Sequence, residues 1–238
     1  LNDIREAWKR LPVTQQPSDV FQMFETEGGE DIFEPSEYST QVYCLASFTP
    51  TGGALGAYAG TNLKGLVYVN EEGEEWRPAF STGEERVHAL AAFGGALFAG
   101  TSAQGRILRW NGRETEVVHQ AKELGITALA VHGEALYAGT YPGGLILRSE
   151  DGELWEIASQ TGQRMVNQFL STVDGLYAAC SHDEGGAIFR APDGIAWERC
   201  FHSPKDVNVY ALASFGGRLY AGTGEAGRLY ASSNGAKW

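Results

Sequence analysis

The sequence lacks both a long apolar run and a cluster of basic residues. Its longest strongly apolar stretch, residues 89–100, is far shorter than the roughly 20 residues that a membrane-spanning helix needs. Lysine and arginine number 18 against 30 acidic residues, so the formal net charge is -12. Nucleic acids and anionic membranes attract basic surfaces. We therefore predict neither nucleic-acid binding nor membrane insertion, and the acidic surface favours neutral or basic protein partners.

Cysteine is also scarce. Cys44, Cys180 and Cys200 are widely separated and do not form the pattern of a disulfide framework. Reduced thiols favour a cytoplasmic protein, and the first ten residues, LNDIREAWKR, lack the apolar centre of a signal peptide. A secreted protein from which a leader has been removed is the alternative.

An internal repeat dominates the rest of the sequence. The phrases AYAGT, LFAGT, LYAGT, LYAAC and LYAGT end at Thr61, Thr101, Thr140, Cys180 and Thr223, at intervals of 39 to 43 residues. An aliphatic anchor precedes each phrase, at Leu45, Leu90, Leu129, Leu170 and Leu212. A further anchor follows, at Trp76, Thr115, Trp155, Trp197 and Trp238. Several anchors that share one period exclude chance as an explanation.

Each repeat contains four short strand patterns. In the third repeat they cover residues 126–131, 135–140, 145–148 and 154–158, and Asp-Gly or Asn-Gly pairs typical of tight hairpins separate such strands. Four-stranded antiparallel units with a period near 40 are typical of propeller blades. We predict an all-β fold, a β-propeller with five repeats at about 41–80, 81–120, 121–160, 161–202 and 203–238. A sandwich, a solenoid or a helical repeat would not combine this period with these turns.

Residues 1–40 fit the repeat poorly. Trp8 in REAWKRL resembles the outer-strand phrase AWERC around Trp197, so we expect residues 5–12 to pair with the last blade and close the ring. We interpret the acidic segment Gln15–Thr40 as a loop or a partner-binding arm with one or two irregular strands. The alternative is a longer native chain with six or seven blades.

The phrases SEDGELW, APDGIAW and SSNGAKW, which begin at Ser149, Ala191 and Ser232, resemble the Asp-box, or BNR repeat, of sialidases and other propellers. Only the first copy is close, and all three lack the threonine before tryptophan. The resemblance implies structural hairpins in which Asp151 and Asp193 stabilise their own turns. The Phe/Tyr-Arg-Ile-Pro phrase of sialidases is absent, so the resemblance does not extend to that activity.

Other motifs point to structure rather than to chemistry. The G-x-G-x-x-G pattern from Gly222 to Gly227 is followed by a strand pattern, whereas a phosphate site needs a helix N-terminus. Cys180, His182 and Asp183 have no second ligand cluster to complete a zinc site. Neither G-x-S-x-G nor H-E-x-x-H occurs. We predict no catalytic residue, no cofactor and no metal, and we favour a protein that is not an enzyme.

The positions that vary within the repeat are the candidate binding residues, because function concentrates in loops carried by a rigid scaffold. They are Lys64, Gln104, Tyr141, His182, Asp183, Glu184 and Glu225 in the loops between the second and third strands, and Tyr43, His88, Thr127, Gln168 and Tyr210 at the start of the innermost strands. The alternative for the second group is a polar channel that holds ordered water.

These observations favour a non-catalytic scaffold or recognition domain that binds another macromolecule through one end of the propeller, within a larger protein or complex. The partner class that we expect is protein. A glycan-binding or glycoside-hydrolysing propeller is the alternative, since aromatic and acidic side chains suit sugars. A sensory domain of a larger receptor is a third hypothesis for the function.

Overall fold

The computed structural model describes residues 41–62, 64–71, 73 and 75–238. The first sheet contains β1 (Val42–Phe48), β2 (Gly56–Thr61), β3 (Leu66–Glu71) and β4 (Arg77–Ser81). The second contains β5 (Val87–Phe93), β6 (Ala96–Thr101), β7 (Arg106–Trp110) and β8 (Thr115–Gln120). The third contains β9 (Gly125–His132), β10 (Ala135–Tyr141), β11 (Leu145–Ser149) and β12 (Glu156–Gln160). The fourth contains β13 (Met165–Thr172), β14 (Gly175–Ser181), β15 (Gly186–Ala191) and β16 (Glu198–Ser203). The fifth contains β17 (Val209–Phe215), β18 (Arg218–Thr223) and β19 (Leu229–Ser232).

Every sheet is an antiparallel meander in which strands adjacent in sequence pair with each other. The predicted four-stranded unit is confirmed in four sheets, and the fifth has three strands within the described residues. The predicted outer strand 154–158 of the third unit is displaced by two residues, because Leu154 still belongs to the preceding turn. Its backbone N–H donates to Asp151 Oδ1 at 2.8 Å.

The recurring threonines occupy equivalent places, which confirms the repeat. Thr61, Thr101, Thr140 and Thr223 pair with Val42, Val87, Ile126 and Val209 of the neighbouring innermost strand. All four threonines are buried. The hydroxyl of Thr61 donates to Leu66 O at 2.9 Å, and that of Thr101 donates to Arg106 O at 3.2 Å. The threonine therefore closes the loop between the second and third strands.

The core lies between successive sheets. The innermost strands β1, β5, β9, β13 and β17 contact one another in chain order, and a separate apolar cluster fills each of the four junctions. The aromatic side chain on the second strand, Tyr58, Phe98, Tyr137 or Tyr177, is buried in the first four sheets. Each sheet has two apolar faces, so burial of both requires a neighbour on each side.

The expected closing segment, residues 5–12, and the acidic arm, residues 15–40, lie outside the described residues. Closure of the ring and the number of blades stay predictions. In the part of the chain that the structure describes, no helix has the length and apolar character needed to cross a membrane.

Candidate functional site

One end of the sheets combines the loops between second and third strands with the residues that begin the innermost strands. Antiparallel pairing brings the start of the first strand beside the end of the second. Backbone bonds join the two segments, from Ser102 N to Arg86 O at 3.2 Å and from Gly224 N to Asn208 O at 3.0 Å. We call this end the rim. The candidate residues on it are Tyr43, Lys64, His88, Gln104, Thr127, Tyr141, Gln168, His182, Asp183, Glu184, Tyr210 and Glu225.

A β-bulge interrupts the pairing at the start of every innermost strand. The residues left unpaired by the shift in register are Tyr43, His88, Thr127, Asn167 and Tyr210. A bulged residue is released from the ladder and its side chain is redirected. We call these five residues the bulge column, and four of them are residues predicted from sequence.

The fourth sheet differs from the prediction by one residue. Its bulge falls at Asn167, whereas spacing from Leu170 selected Gln168. The register pairs Phe169, not Leu170, with Ala178, the alanine of the fourth repeat phrase. Treating Phe169 as the apolar anchor would have given the correct column.

In the third and fourth sheets the column joins one sheet to the next. The Thr127 hydroxyl donates to Val166 O at 2.6 Å, and Asn167 Nδ2 donates to Val209 O at 2.7 Å. Gln168 Oε1 accepts a hydrogen bond from Leu212 N at 2.5 Å. These side chains are therefore occupied in holding the innermost strands together.

The first, second and fifth members of the column are aromatic. The rings of Tyr43 and His88 lie 4.8 Å apart, centroid to centroid, and the Tyr43 hydroxyl donates to Gln41 Oε1 at 2.7 Å. Burial, with the nearby charge of Arg86, lowers the pKa of His88 below its ordinary value of 6.5. His88 is accordingly neutral at pH 7. Tyr210 is exposed, so this part of the column can contact a ligand.

A second group connects the rims of the third and fourth sheets through Arg164. Its guanidinium carbon lies 5.8 Å from the centroid of the Tyr141 ring, and its Nη1 lies 3.2 Å from Asp183 Oδ1. In the same loop, Glu184 N donates to His182 Nδ1 at 3.1 Å, so this ring nitrogen acts as a hydrogen-bond acceptor. We call Tyr141, Arg164, His182, Asp183 and Glu184 the Arg164 cluster.

Sequence reasoning missed Arg164 because it precedes β13 instead of lying in a loop between second and third strands. The signal was available, since any residue just before an innermost strand lies at the same end. Lys64, Gln104 and Glu225 belong to the loops of the first, second and fifth sheets, outside the Arg164 cluster. The backbones of Lys64 and Glu225 are left-handed, with φ of 50° and 57°.

The remaining motifs are structural in the folded chain. The Gly222–Gly227 segment is the hairpin between β18 and β19, in which Thr223 N donates to Arg228 O at 3.0 Å. Cys180 is buried between the third and fourth sheets, and burial raises the pKa of its thiol. Burial likewise raises the pKa of Cys44 to about 12. Such thiols remain protonated at neutral pH and are poor nucleophiles.

The predicted turn role of Asp151 and Asp193 is confirmed by their hydrogen bonds. Asp151 Oδ1 accepts from Glu153 N and Leu154 N at 2.8 Å each, and Asp193 Oδ1 accepts from Ile195 N at 2.9 Å. These backbone bonds lower the pKa of both carboxyl groups. Both carboxylates are therefore committed to their own turns.

The end opposite the rim carries a cleft of about 390 Å³ between the fourth and fifth sheets. Its walls include Val173, Phe215 and Arg218. Val173 and Phe215 are exposed apolar side chains. This end supplies matched control positions for experiments on the rim.

Comparison with known proteins identifies the fold alone. No protein-family model matches the chain, and no curated protein matches it either. A structure from a nidogen/laminin complex is 15% identical over 71% of this chain and 67% of its own, with a TM-score of 0.56. The extracellular domain of a hybrid two-component system from B. thetaiotaomicron is 19% identical over 84% of this chain, with a TM-score of 0.57. This chain covers only 28% of the chain in that structure. The computationally designed Ika8 protein is 16% identical over 74% of this chain, with a TM-score of 0.51.

The five stacked antiparallel sheets and these likenesses together support a β-propeller built from repeats. The cytoplasmic location expected from the unpaired cysteines receives no support from the comparisons, because the bacterial neighbour is an extracellular domain.

Proposed function

We propose that this chain is a non-catalytic recognition domain that binds a protein partner through the rim. The observation that carries the proposal is the Arg164 cluster, in which one guanidinium contacts both Tyr141 and Asp183 across two sheets. Tyrosine and arginine are enriched at protein interfaces. The scaffold beneath them repeats, whereas these side chains do not.

Rigidity of the underlying sheets supports this choice. Thr127, Asn167 and Gln168 each bond a backbone group of the following sheet, so the rim is carried on innermost strands that are fixed to each other. A binding surface held by such a scaffold loses little conformational entropy when a partner docks. The net charge of -12 favours a neutral or basic partner.

The test compares two arginines at opposite ends of the sheets. Immobilised wild-type chain, Arg164→Ala and Arg218→Ala are used to capture proteins from the native source, with quantification by mass spectrometry. The captured partner is then purified, and its dissociation constant is measured for each variant. We expect Arg164→Ala to raise the dissociation constant about tenfold, a typical effect for an interface arginine. Arg218→Ala should leave it unchanged.

The reverse pattern would reject the proposal. If Arg218→Ala weakens binding and Arg164→Ala does not, the cleft beside Phe215 is the binding end. Thermal unfolding of both variants serves as the control, because surface substitutions usually change stability by no more than about 0.5 kcal/mol.

A glycan ligand is the alternative for the same end of the molecule, favoured by the Tyr43 and His88 rings. Glycan-array binding that is lost in Tyr43→Ala and retained in Arg164→Ala would select it. We further propose a location outside the cytoplasm, supported by the extracellular bacterial neighbour.

A further inference from the structure

Three of the four junctions between sheets share a glycine contact. An aliphatic residue just before each bulge packs over the glycine of the preceding sheet's second strand. A Cβ added to Gly60 would lie 2.8 Å from Val87 Cγ1, one on Gly100 2.6 Å from Ile126 Cγ2, and one on Gly139 2.5 Å from Val166 Cβ. At the fourth junction Ala179 replaces the glycine and packs in one cluster with Val209.

A second contact recurs between the aromatic residue of the second strand and a turn glycine of the following sheet. The Phe98 ring lies against Gly152, the Tyr137 hydroxyl against Gly194, and the Tyr177 hydroxyl against Gly235. The Tyr137 hydroxyl also donates to Gly194 O at 3.0 Å. Each of these glycines therefore leaves the space that the aromatic ring of the preceding sheet occupies.

The outward face of the fifth sheet is the face that points away from the fourth sheet. It carries the residues equivalent to those of the junctions, but neither of the two junction contacts forms there among the described residues. Among the described residues, a Cβ on Gly222 would meet only Ala211 Cβ, at 3.9 Å. Leu229 pairs with Gly222 and is 72% exposed. Its equivalents Val67, Ile107, Ile146 and Ile188 are all 0% exposed. Phe215 is 78% exposed, whereas its equivalent Phe48 is 5% exposed.

The outward face of the first sheet is the face that points away from the second sheet. It carries the aliphatic residues that, in the other sheets, pack against the preceding sheet. Val42 is the residue before the bulge and is 40% exposed, whereas Val87, Ile126, Val166 and Val209 are 0% exposed. Leu45, an aliphatic anchor, is 67% exposed. The two outward faces are thus the two halves of the interface that recurs four times inside the structure.

We propose that these two faces are the docking surfaces for one further sheet of this same repeat, which residues 41–238 do not supply. Its aliphatic residue would pack over Gly222 and its turn glycine against Tyr220, and its own second-strand glycine would lie under Val42. A second copy of the chain does not fit, because five sheets of a ring with at most about eight turn through more than half a circle. The inference depends on the repeated junctions and not on the function proposed for the rim.

The first experiment uses the chain unchanged except at two glycines. Gly222→Val should leave the midpoint of thermal unfolding close to wild type, because among the described residues only Ala211 Cβ lies within 4 Å of the added Cβ. Gly139→Val is the matched control and should lower the midpoint sharply, because Val166 occupies the space. Equal loss in both variants would show that the Gly222 face is already filled, and would overturn the proposal.

The second experiment supplies the occupant. Trp238 is equivalent to Thr115, so a copy of residues 116–155 fused after Trp238 continues the repeat in register and supplies the three junction residues Ile126, Gly139 and Gly152. We expect amide hydrogen exchange in β17–β19 to slow by about tenfold or more, and Gly222→Val in the fusion to abolish that protection. Unchanged exchange would overturn the proposal. So would concentration-dependent dimerisation of the unfused chain that Gly222→Val prevents, since a second copy would then be the occupant.

Discussion

Asp206 provides the sharpest stability prediction, because its carboxylate is buried between the fourth and fifth sheets and fully bonded. Its side chain is 0% exposed. Oδ1 accepts from Arg228 Nη1 at 2.7 Å and from the Thr223 hydroxyl at 3.2 Å. Oδ2 accepts from the Tyr230 hydroxyl at 2.7 Å and from the Ser203 hydroxyl at 2.8 Å. Strands from two sheets thus converge on one charge.

Replacing Asp206 should lower the free energy of unfolding substantially. Removal of one partner from a buried ion pair typically costs about 3–5 kcal/mol. The Arg228 side chain is 43% exposed and stays partly hydrated, so we expect a value near the lower limit, about 3 kcal/mol, for Asp206→Ala. In a unit of this size that loss lowers the midpoint of thermal unfolding by roughly 10 °C.

Acid should remove the same contribution in the wild-type protein. Burial alone would raise the pKa of Asp206, but the hydrogen bonds from Tyr230, Ser203, Arg228 and Thr223 outweigh it and lower the pKa to about 2. A carboxyl with a depressed pKa stabilises the fold above its ordinary pKa of 3.8 and loses that effect as pH falls toward 2. Asp206→Ala should lack this component of acid unfolding.

The assay is chemical and thermal unfolding of wild type, Asp206→Ala and the control Asp183→Ala across pH 2 to 7. The side chain of Asp183 is 80% exposed, so its loss should cost less than about 1 kcal/mol. If the two variants are equally stable at pH 7, or if Asp206→Ala retains the full acid transition, the reasoning about a buried, bonded carboxylate is wrong.

Two further predictions concern the junctions and the bulge column. Tyr137→Phe should lower the free energy of unfolding in urea by about 1–2 kcal/mol, because Gly194 O loses its buried donor. The control Tyr220→Phe, on the outward face of the fifth sheet, should leave the free energy of unfolding unchanged. Equal losses in the two variants would contradict the junction role. His88 should titrate below 6.5 by NMR, since its folded pKa is lowered. Wild type should therefore lose stability as pH falls below 6.5, where the unfolded chain protonates first. His88→Thr, which introduces the residue of the third sheet, should show a smaller loss between pH 7.5 and 5.5, because His119, whose pKa burial also lowers, still contributes.

Some parts of the candidate site could be predicted because their signal is local. The hairpin turns, the phrases that end in threonine and four members of the bulge column follow from residues a few positions apart. The fourth bulge could not be located reliably, because a bulge adds one unpaired residue and spacing from Leu170 gives no sign of where it falls. The position of Arg164 just before β13 places it at the rim, but its contact with Tyr141 of the third sheet has no local signal. The bonds that Asp206 accepts from Arg228 and Tyr230 likewise depend on how strands meet in space, which no local pattern records.

The sequence by itself determined the repeat, its period, the meander within each sheet and the end at which the variable residues gather, because hairpin chemistry acts between near neighbours. Only the tertiary structure decided which copies of equivalent residues are covered. Leu229 and Ile107 hold the same place in their sheets, yet one is 72% exposed and the other 0%. The difference arises because burial depends on the sheet that stacks against a residue, and the residue's own strand does not specify that neighbour.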